Sequence, residues 1–196
     1  KEVKEIVREQ RDISSIHPHE NKLLEKIEIQ NSFEDKQRNY DPDISSILPY
    51  FSFLYPTLEK NKDINEIITN LYLSSIVPAS NKQLLKSVGI KKIINLSSFE
   101  NPFTDEFSYY RIRIPDISIA NISVYFDSTY NYIDNALENN TKILVHCDAG
   151  ISRSATIIIN YIMKKYNISL QNTINFVRSK RSIINPNIGF INQLKK

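Results

Sequence analysis

The chain has 196 residues, of which 41% are hydrophobic and 24% are charged. This length gives room for one ordinary domain with a tail, and this balance is typical of a globular protein that buries a core, which excludes a fibre or a wholly disordered chain. No run of about 18 uninterrupted apolar residues occurs, and residues 1–11 are rich in charge. We therefore expect neither a secreted nor a membrane-spanning protein, and a cytoplasmic or nuclear location.

The net charge of +3 is unevenly distributed along the chain. Residues 1–63 hold 10 Lys and Arg against 13 Asp and Glu, a net of −3, whereas residues 64–196 hold 15 against 9, a net of +6. The second part should attract anions. Nucleic acid is an anion, but no basic stretch interleaved with aromatic residues occurs, so we expect neither a nucleic-acid nor a membrane partner.

Residues 1–63 are polar, lack glycine and contain short helical patterns that prolines interrupt. We expect an N-terminal extension over 1–63 that is partly helical or irregular. His17 and His19 flank a proline without a cysteine nearby, and this arrangement does not favour a metal site.

From residue 64 onward the pattern predicts alternating strands and helices. The predicted strands cover 66–69, 70–74, 93–96, 109–114 and 142–146, and the predicted helices cover 81–88, 122–138, 154–166, 169–179 and 186–194. Gly89 is placed to end the first of these helices, and Asn70 to form the first turn. The alternation predicts an α/β domain over 64–196, with a central, mostly parallel, twisted sheet flanked by helices.

The most informative segment joins a buried strand to a helix and reads His-Cys-Asp-Ala-Gly-Ile-Ser-Arg-Ser over residues 146–154. A loop that enters a helix presents unpaired backbone N–H groups and the positive end of the helix dipole, which together bind phosphate. Cys147, the only cysteine of the chain, would be stabilised there as a thiolate, and Arg153 could hold two phosphate oxygens. Gly150 indicates a positive φ or a close backbone approach.

A single cysteine is by itself most simply a small buried hydrophobic residue, since it can form no disulfide within the chain. Its neighbours overturn that interpretation, because His-Cys-x-x-Gly-x-x-Arg-Ser resembles the signature of the protein tyrosine phosphatase superfamily. Further segments are similar to the compact, atypical dual-specificity phosphatases in order and spacing; they begin at Asn70, Asn95, Ile114, Arg153 and Lys180. The resemblance covers residues 64–196.

The resemblance implies a role for each residue of the site. Cys147 would attack phosphorus, Arg153 and the backbone of Asp148, Ala149, Gly150, Ile151 and Ser152 would hold the phosphate oxygens, and Asp116 would be the general acid and base. His146, Ser154 and Asn187 would support the loop, the thiolate and the phosphate site. Neither a metal nor a cofactor is implied. The expected partners are a phosphorylated protein substrate and, as a further candidate, a protein kinase.

Several alternatives to these assignments remain open. Asp105 and Glu106 are rival carboxylates that we expect on a solvated loop, and Arg111 and Arg113 are most simply the wet face of a strand, or a contact for a phosphopeptide. The domain could also be a phosphoprotein-binding regulatory module with little turnover, or a phosphatase of a non-protein phosphate ester. A phosphoinositide phosphatase would be expected to carry lysines where this loop has Asp148.

Overall fold

The computed structural model describes residues 63–196. The predicted extension over 1–63 therefore lies outside the described residues, except for Asp63. Within the described range, no helix combines the length and the apolar character needed to cross a membrane.

Within residues 63–196, five short strands form one sheet in the order β1-β2-β5-β3-β4. Their bounds are β1 Asn65–Ile68, β2 Leu71–Ser74, β3 Lys92–Asn95, β4 Ser108–Arg111 and β5 Ile143–His146. β1 and β2 are antiparallel, and the turn between them has Asn70 at φ 67°. All other neighbouring strands are parallel, which confirms the predicted α/β class with a mostly parallel sheet.

The last residues of the four parallel strands lie side by side. Ser74 pairs in register with His146, His146 with Asn95, and Asn95 with Arg111. The four loops that follow these strands therefore leave the sheet at one edge. In parallel sheets this edge is where ligand sites form.

Six α-helices and one 3₁₀ turn complete the described fold. They are α1 Ile76–Ala79, α2 Lys82–Val88, the 3₁₀ turn Ser123–Tyr125, α3 Phe126–Glu138, α4 Arg153–Tyr166, α5 Leu170–Lys180 and α6 Ile188–Leu194. Asn81, Ser169 and Asn187 cap α2, α5 and α6, each accepting a hydrogen bond from a backbone N–H of the first turn. Gly89 ends α2 at φ 84°, as the sequence predicts.

The two faces of the sheet bury separate hydrophobic clusters, as the period-two alternation of side chains along a strand requires. On β5, Ile143 and Val145 face the larger cluster together with the apolar side of α4, whereas Leu144 faces a smaller cluster with Leu85 of α2. Since α4 begins at Arg153, shortly after the end of β5, its first turn lies close to the edge at which the parallel strands end.

Three predictions of local structure differ from the fold. The helix predicted over 122–138 is a 3₁₀ turn over Ser123–Tyr125 followed by α3, which begins at Phe126. The strand predicted over 109–114 ends at Arg111, because Ile112 N–H makes the last backbone bond, to Asn95, and Pro115 then closes the segment. Helix α1 was not predicted. It is four residues long and contains Pro78, which is tolerated in a first turn but breaks the apolar pattern.

Candidate active site

The loop between β5 and α4 is held by its carbonyl groups from residue 148 onward. The carbonyl oxygens of residues 148–152 accept hydrogen bonds, in chain order, from Ile76 N (3.0 Å), Arg181 Nη2 (3.4 Å), Arg181 Nε (2.9 Å), Asn185 N (2.9 Å) and Thr156 N (2.9 Å). Because C=O and N–H of one peptide plane point in opposite directions, the N–H groups of residues 149–153 turn toward the inside of the loop. Such a ring of N–H groups at a helix start binds anions.

Gly150 is the residue that lets the loop close. Its φ is 67°, in the left-handed region. A Cβ atom at this position would lie 2.5 Å from Ser74 O and 2.8 Å from Arg181 Nη2. Both conditions that the sequence indicated for this glycine, a positive φ and a close backbone approach, are therefore confirmed.

Cys147 follows the last residue of β5 and lies inside the ring of N–H groups. Its side chain is buried, and Sγ accepts hydrogen bonds from Gly150 N (3.2 Å) and Ser154 Oγ (3.1 Å). The guanidinium of Arg181 lies nearby. Burial lowers the pKa of Arg181, and the negative charges of Cys147 and Asp63 raise it. Sγ therefore lies at the start of the loop within reach of two hydrogen-bond donors.

Arg153 begins helix α4 and turns its guanidinium back toward the strand ends. Nη1 donates to Leu96 O (2.9 Å) and Ile114 O (3.4 Å), and Nη2 donates to Asp148 Oδ2. Nε lies 3.5 Å from Asp116 Oδ2. The guanidinium thus touches the loops that follow β3, β4 and β5.

Asp116 reaches the phosphate-binding loop from the segment that follows β4. Its Oδ1 accepts hydrogen bonds from Ser152 Oγ (2.6 Å) and Asn187 Nδ2 (2.7 Å), and its side chain is only 8% exposed. Asn187 caps α6, and its backbone N–H donates to Ser152 Oγ (3.1 Å). One carboxylate oxygen of Asp116 is therefore linked to both the loop and α6.

His146 is the last residue of β5 and is buried beneath the loop. Burial lowers the pKa of His146 to about 4, and a hydrogen bond to the Cys147 backbone and the charge of Asp148 oppose that shift only in part. The imidazole is therefore neutral at pH 7 and acts as a packed support.

The structure brings all the sequence-predicted site residues into one region at the strand ends: Cys147, Arg153, Asp116, residues 148–152, His146, Ser154 and Asn187. The rival carboxylate Glu106 instead pairs with Lys82 and Lys86, both at 2.8 Å, and Asp105 is exposed.

The prediction of a wet strand face is wrong for Arg111, which is partly buried and donates to Asn95 Oδ1 (3.2 Å) and Ser97 O. Its guanidinium braces the loop after β3, because both of its acceptors flank the start of that loop. Arg113 is solvent-facing as expected and pairs with Glu100.

Sequence reasoning missed two supporting residues. Arg181 binds two loop carbonyls, and Ser98 binds both carboxylate oxygens of Asp148. Arg181 lies in a segment that resembles the family, but it is 31 and 32 residues away from the two carbonyls that it binds, so the sequence gave no signal of this contact. Ser98 follows β3, and the parallel pairing of β3 with β5 was the only available hint.

The described residues contain no group of three or more His, Cys, Asp or Glu side chains that could hold a metal ion. The donors of this site suit an anion instead, since they are backbone N–H groups and a guanidinium.

Comparison with known proteins agrees with this geometry. A family model described as the dual specificity phosphatase catalytic domain matches residues 71–196. Dual specificity protein phosphatase 1B of Arabidopsis thaliana is 39% identical over 140 residues, which cover 71% of this chain and 84% of that protein. Dual specificity protein phosphatase 1 of the same plant is 41% identical over 126 residues, 64% of each chain.

Among solved structures, the human tyrosine phosphatase-like serine/threonine/tyrosine-interacting protein has a similar fold. It is 34% identical with a TM-score of 0.65, and the match covers 67% of this chain and 93% of that chain.

Substitution Gly150→Ala should destabilise the protein and weaken phosphate binding. The left-handed backbone costs about 1–2 kcal/mol for any residue with a Cβ, and here the Cβ also meets the Ser74 carbonyl. Gly89→Ala is the matched control, because its φ is 84° but its Cβ would only touch the flexible Lys142 side chain at 3.6 Å. Urea unfolding and titration with inorganic phosphate measure both effects. Equal losses in the two variants would contradict this account of the loop.

The neutral, buried His146 predicts a pH dependence of folding. The pKa of His146 is about 4 in the folded protein and 6.5 in the unfolded chain, so below pH 6.5 the unfolded chain binds a proton that the folded one does not. The contribution of His146 to the free energy of unfolding is therefore fully present above about pH 6.5. It is lost as the pH drops toward 4, by roughly 3 kcal/mol at most. Urea unfolding at pH 7, 6 and 5 should show this slope in the wild type and a smaller slope in His146→Gln. If both proteins showed the same dependence of unfolding free energy on pH, His146 would not be its source.

Proposed function

The chain belongs to the dual specificity phosphatases, and on that premise we propose that it dephosphorylates proteins through a phosphocysteine formed on Cys147. The observation that carries this proposal is the ring formed by the loop: the carbonyls of residues 148–152 are bound from outside, and the N–H of Gly150 donates to Sγ (3.2 Å). A dianionic phosphate fits that ring, and a thiolate at its base faces the phosphorus atom.

In the first step, the thiolate of Cys147 attacks phosphorus, an S–P bond forms, and the bond from phosphorus to the leaving oxygen breaks. Asp116 gives its proton to that oxygen. Its carboxylate contacts Ser152 and Arg153 beside the loop, so the arriving phosphate replaces these contacts.

In the second step, water attacks phosphorus, Asp116 takes the proton of the water, and the S–P bond breaks to release inorganic phosphate and the thiolate. Ser154 supports this step, because its hydroxyl lies 3.1 Å from Sγ and donates a hydrogen bond to the departing sulfur. Arg153 and the loop N–H groups hold the phosphate oxygens throughout both steps.

The proposed substrates are phosphotyrosine, phosphoserine and phosphothreonine in proteins. The two longest connections around the phosphate loop, residues 96–107 and 112–122, contain no strand or helix of their own, which favours a shallow site open to both long and short phosphorylated side chains. The partner is therefore a phosphorylated protein, and a protein kinase is a candidate.

A cytoplasmic or nuclear location is part of the proposal, because a catalytic thiolate needs a reducing compartment. Recovery of the native chain from an oxidising compartment would contradict this location.

A phosphoprotein-binding module with little turnover is the second candidate, favoured by the name of the phosphatase-like, interacting human relative. Cys147→Ser separates the two functions. The serine hydroxyl is not ionised near pH 7, so hydrolysis of an aryl phosphate should vanish in this variant while the melting temperature and phosphate binding persist. Hydrolysis that is absent already in the wild type would favour the binding module. Activity retained in Cys147→Ser would exclude Cys147 as the nucleophile.

Substitution Asp116→Asn should lower turnover by about 10²- to 10⁴-fold for esters with poor leaving groups, because the amide has no proton to give. The loss should be much smaller for aryl phosphates whose leaving group needs no proton. Steady-state rates over a series of leaving groups measure this difference. Asp105→Asn, on the exposed loop, is the matched control and should keep full activity. A loss of equal size for all leaving groups would exclude Asp116 as the acid.

A further inference from the structure

The phosphate loop contains a buried carboxylate that the mechanism above does not use. Asp148 follows Cys147 directly and is 7% exposed. Its Oδ1 accepts a hydrogen bond from Ser98 N (2.9 Å), and its Oδ2 accepts from Ser98 Oγ (3.0 Å) and Arg153 Nη2. Burial alone would raise the pKa of Asp148, but the charge of Arg153 and the hydrogen bonds from Ser98 and Arg153 lower it. The residue is therefore a fixed negative charge.

The contacts of Arg153 divide its guanidinium into two sides. Nη1 donates to the Leu96 and Ile114 carbonyls, and Nη2 donates to Asp148 Oδ2. A bidentate bond to phosphate uses Nε–H and the adjacent N–H of Nη2. That edge is the one beside Asp116, with Nε 3.5 Å from Oδ2, so it borders the place where the leaving oxygen must lie.

We propose that Asp148 is a positioning residue, which together with Ser98 fixes the Arg153 guanidinium so that its Nε–Nη2 edge meets the substrate phosphate. Asp148 stays in place when phosphate binds, because two of its three hydrogen bonds come from Ser98 on a different loop. This inference rests on the proposed phosphatase function and adds a residue to it.

The direction in which removal of Asp148 changes phosphate binding distinguishes a positioning role from a simple effect of charge. If the charge of Asp148 were all that mattered, its removal would leave the loop more positive and would strengthen the binding of a phosphate dianion. If Asp148 orients Arg153, its removal takes away one of the acceptors that fix the guanidinium, and both phosphate binding and turnover decrease despite the gain in positive potential.

The experiment compares Asp148→Asn with the wild type and with Asp105→Asn as control. We expect kcat/KM for an aryl phosphate to fall about tenfold to a hundredfold, and inhibition by inorganic phosphate to weaken, in Asp148→Asn only. Alkylation of Cys147 by neutral iodoacetamide should change little, since the cysteine itself keeps its donors. Equal or higher kcat/KM, or tighter phosphate inhibition, would overturn the proposal.

Two further measurements test the route through Arg153. In an Arg153→Lys background, Asp148→Asn should add little further loss of kcat/KM, whereas an undiminished loss would show that Asp148 acts by another route and would overturn the proposal.

Ser98→Ala removes one donor to Asp148 from outside the loop and should also lower kcat/KM, but by less than Asp148→Asn does. Ser98→Thr keeps the hydroxyl and should restore the rate. Should Asp148→Asn fail to fold, the two Ser98 variants decide the question alone.

Failure of the proposed function gives a different result. A wild type that hydrolyses no phosphate ester would refute the phosphatase activity, and titration with inorganic phosphate would still report whether Asp148→Asn weakens binding through Arg153. A normal wild type with an unimpaired Asp148→Asn variant would refute only the positioning role. A lower melting temperature with unchanged kcat/KM would identify Asp148 as merely structural and would also refute it.

Discussion

The orientation of the peptide planes between Cys147 and Arg153 is the constraint on which the rest of the site depends. Each carbonyl of residues 148–152 is bound from outside, by α1, by Arg181, by the segment before α6 and by the first turn of α4. A backbone held in this way has no freedom to turn its N–H groups outward, so the anion site exists before any anion arrives. Preorganised donors of this kind stabilise charge without reorganising during the reaction.

A second constraint is the balance of buried charge. Arg153 and Arg181 lie beside or beneath the loop, and Asp148 and Asp116 lie against Arg153. Buried charges persist only when they are paired and hydrogen-bonded. A phosphate substrate adds two further negative charges to this set. The Arg153 guanidinium can bind them because one of its edges faces the protein acceptors and the other faces the space beside Asp116.

The sequence was sufficient to predict the mostly parallel sheet and the bounds of α2, α4, α5 and α6 to within two residues, and it nominated the residues to which the chemistry is assigned. These features depend on local patterns or on a compact motif, such as the strand, loop and helix around Cys147. It was not sufficient to predict the contacts of Arg181, Ser98 and Arg111. Each of these side chains acts on a loop distant in sequence, and only the order of the strands brings them together. The end of β4 was missed because Ile112 and Ile114 continue an alternating pattern after the ladder has ended.

Arg181 also connects the phosphate loop to the beginning of the described domain. While Nε and Nη2 hold the Gly150 and Ala149 carbonyls, Nη1 donates to Asn65 Oδ1 (2.6 Å) and Asp63 O (3.4 Å). The part of the chain that is similar to the family model begins only at residue 71. A protein trimmed to that boundary would keep every chemical group of the site but would lose β1 and the anchor of the arginine behind the loop. We therefore expect the smallest stable unit to begin before residue 71, where the match to the family model starts.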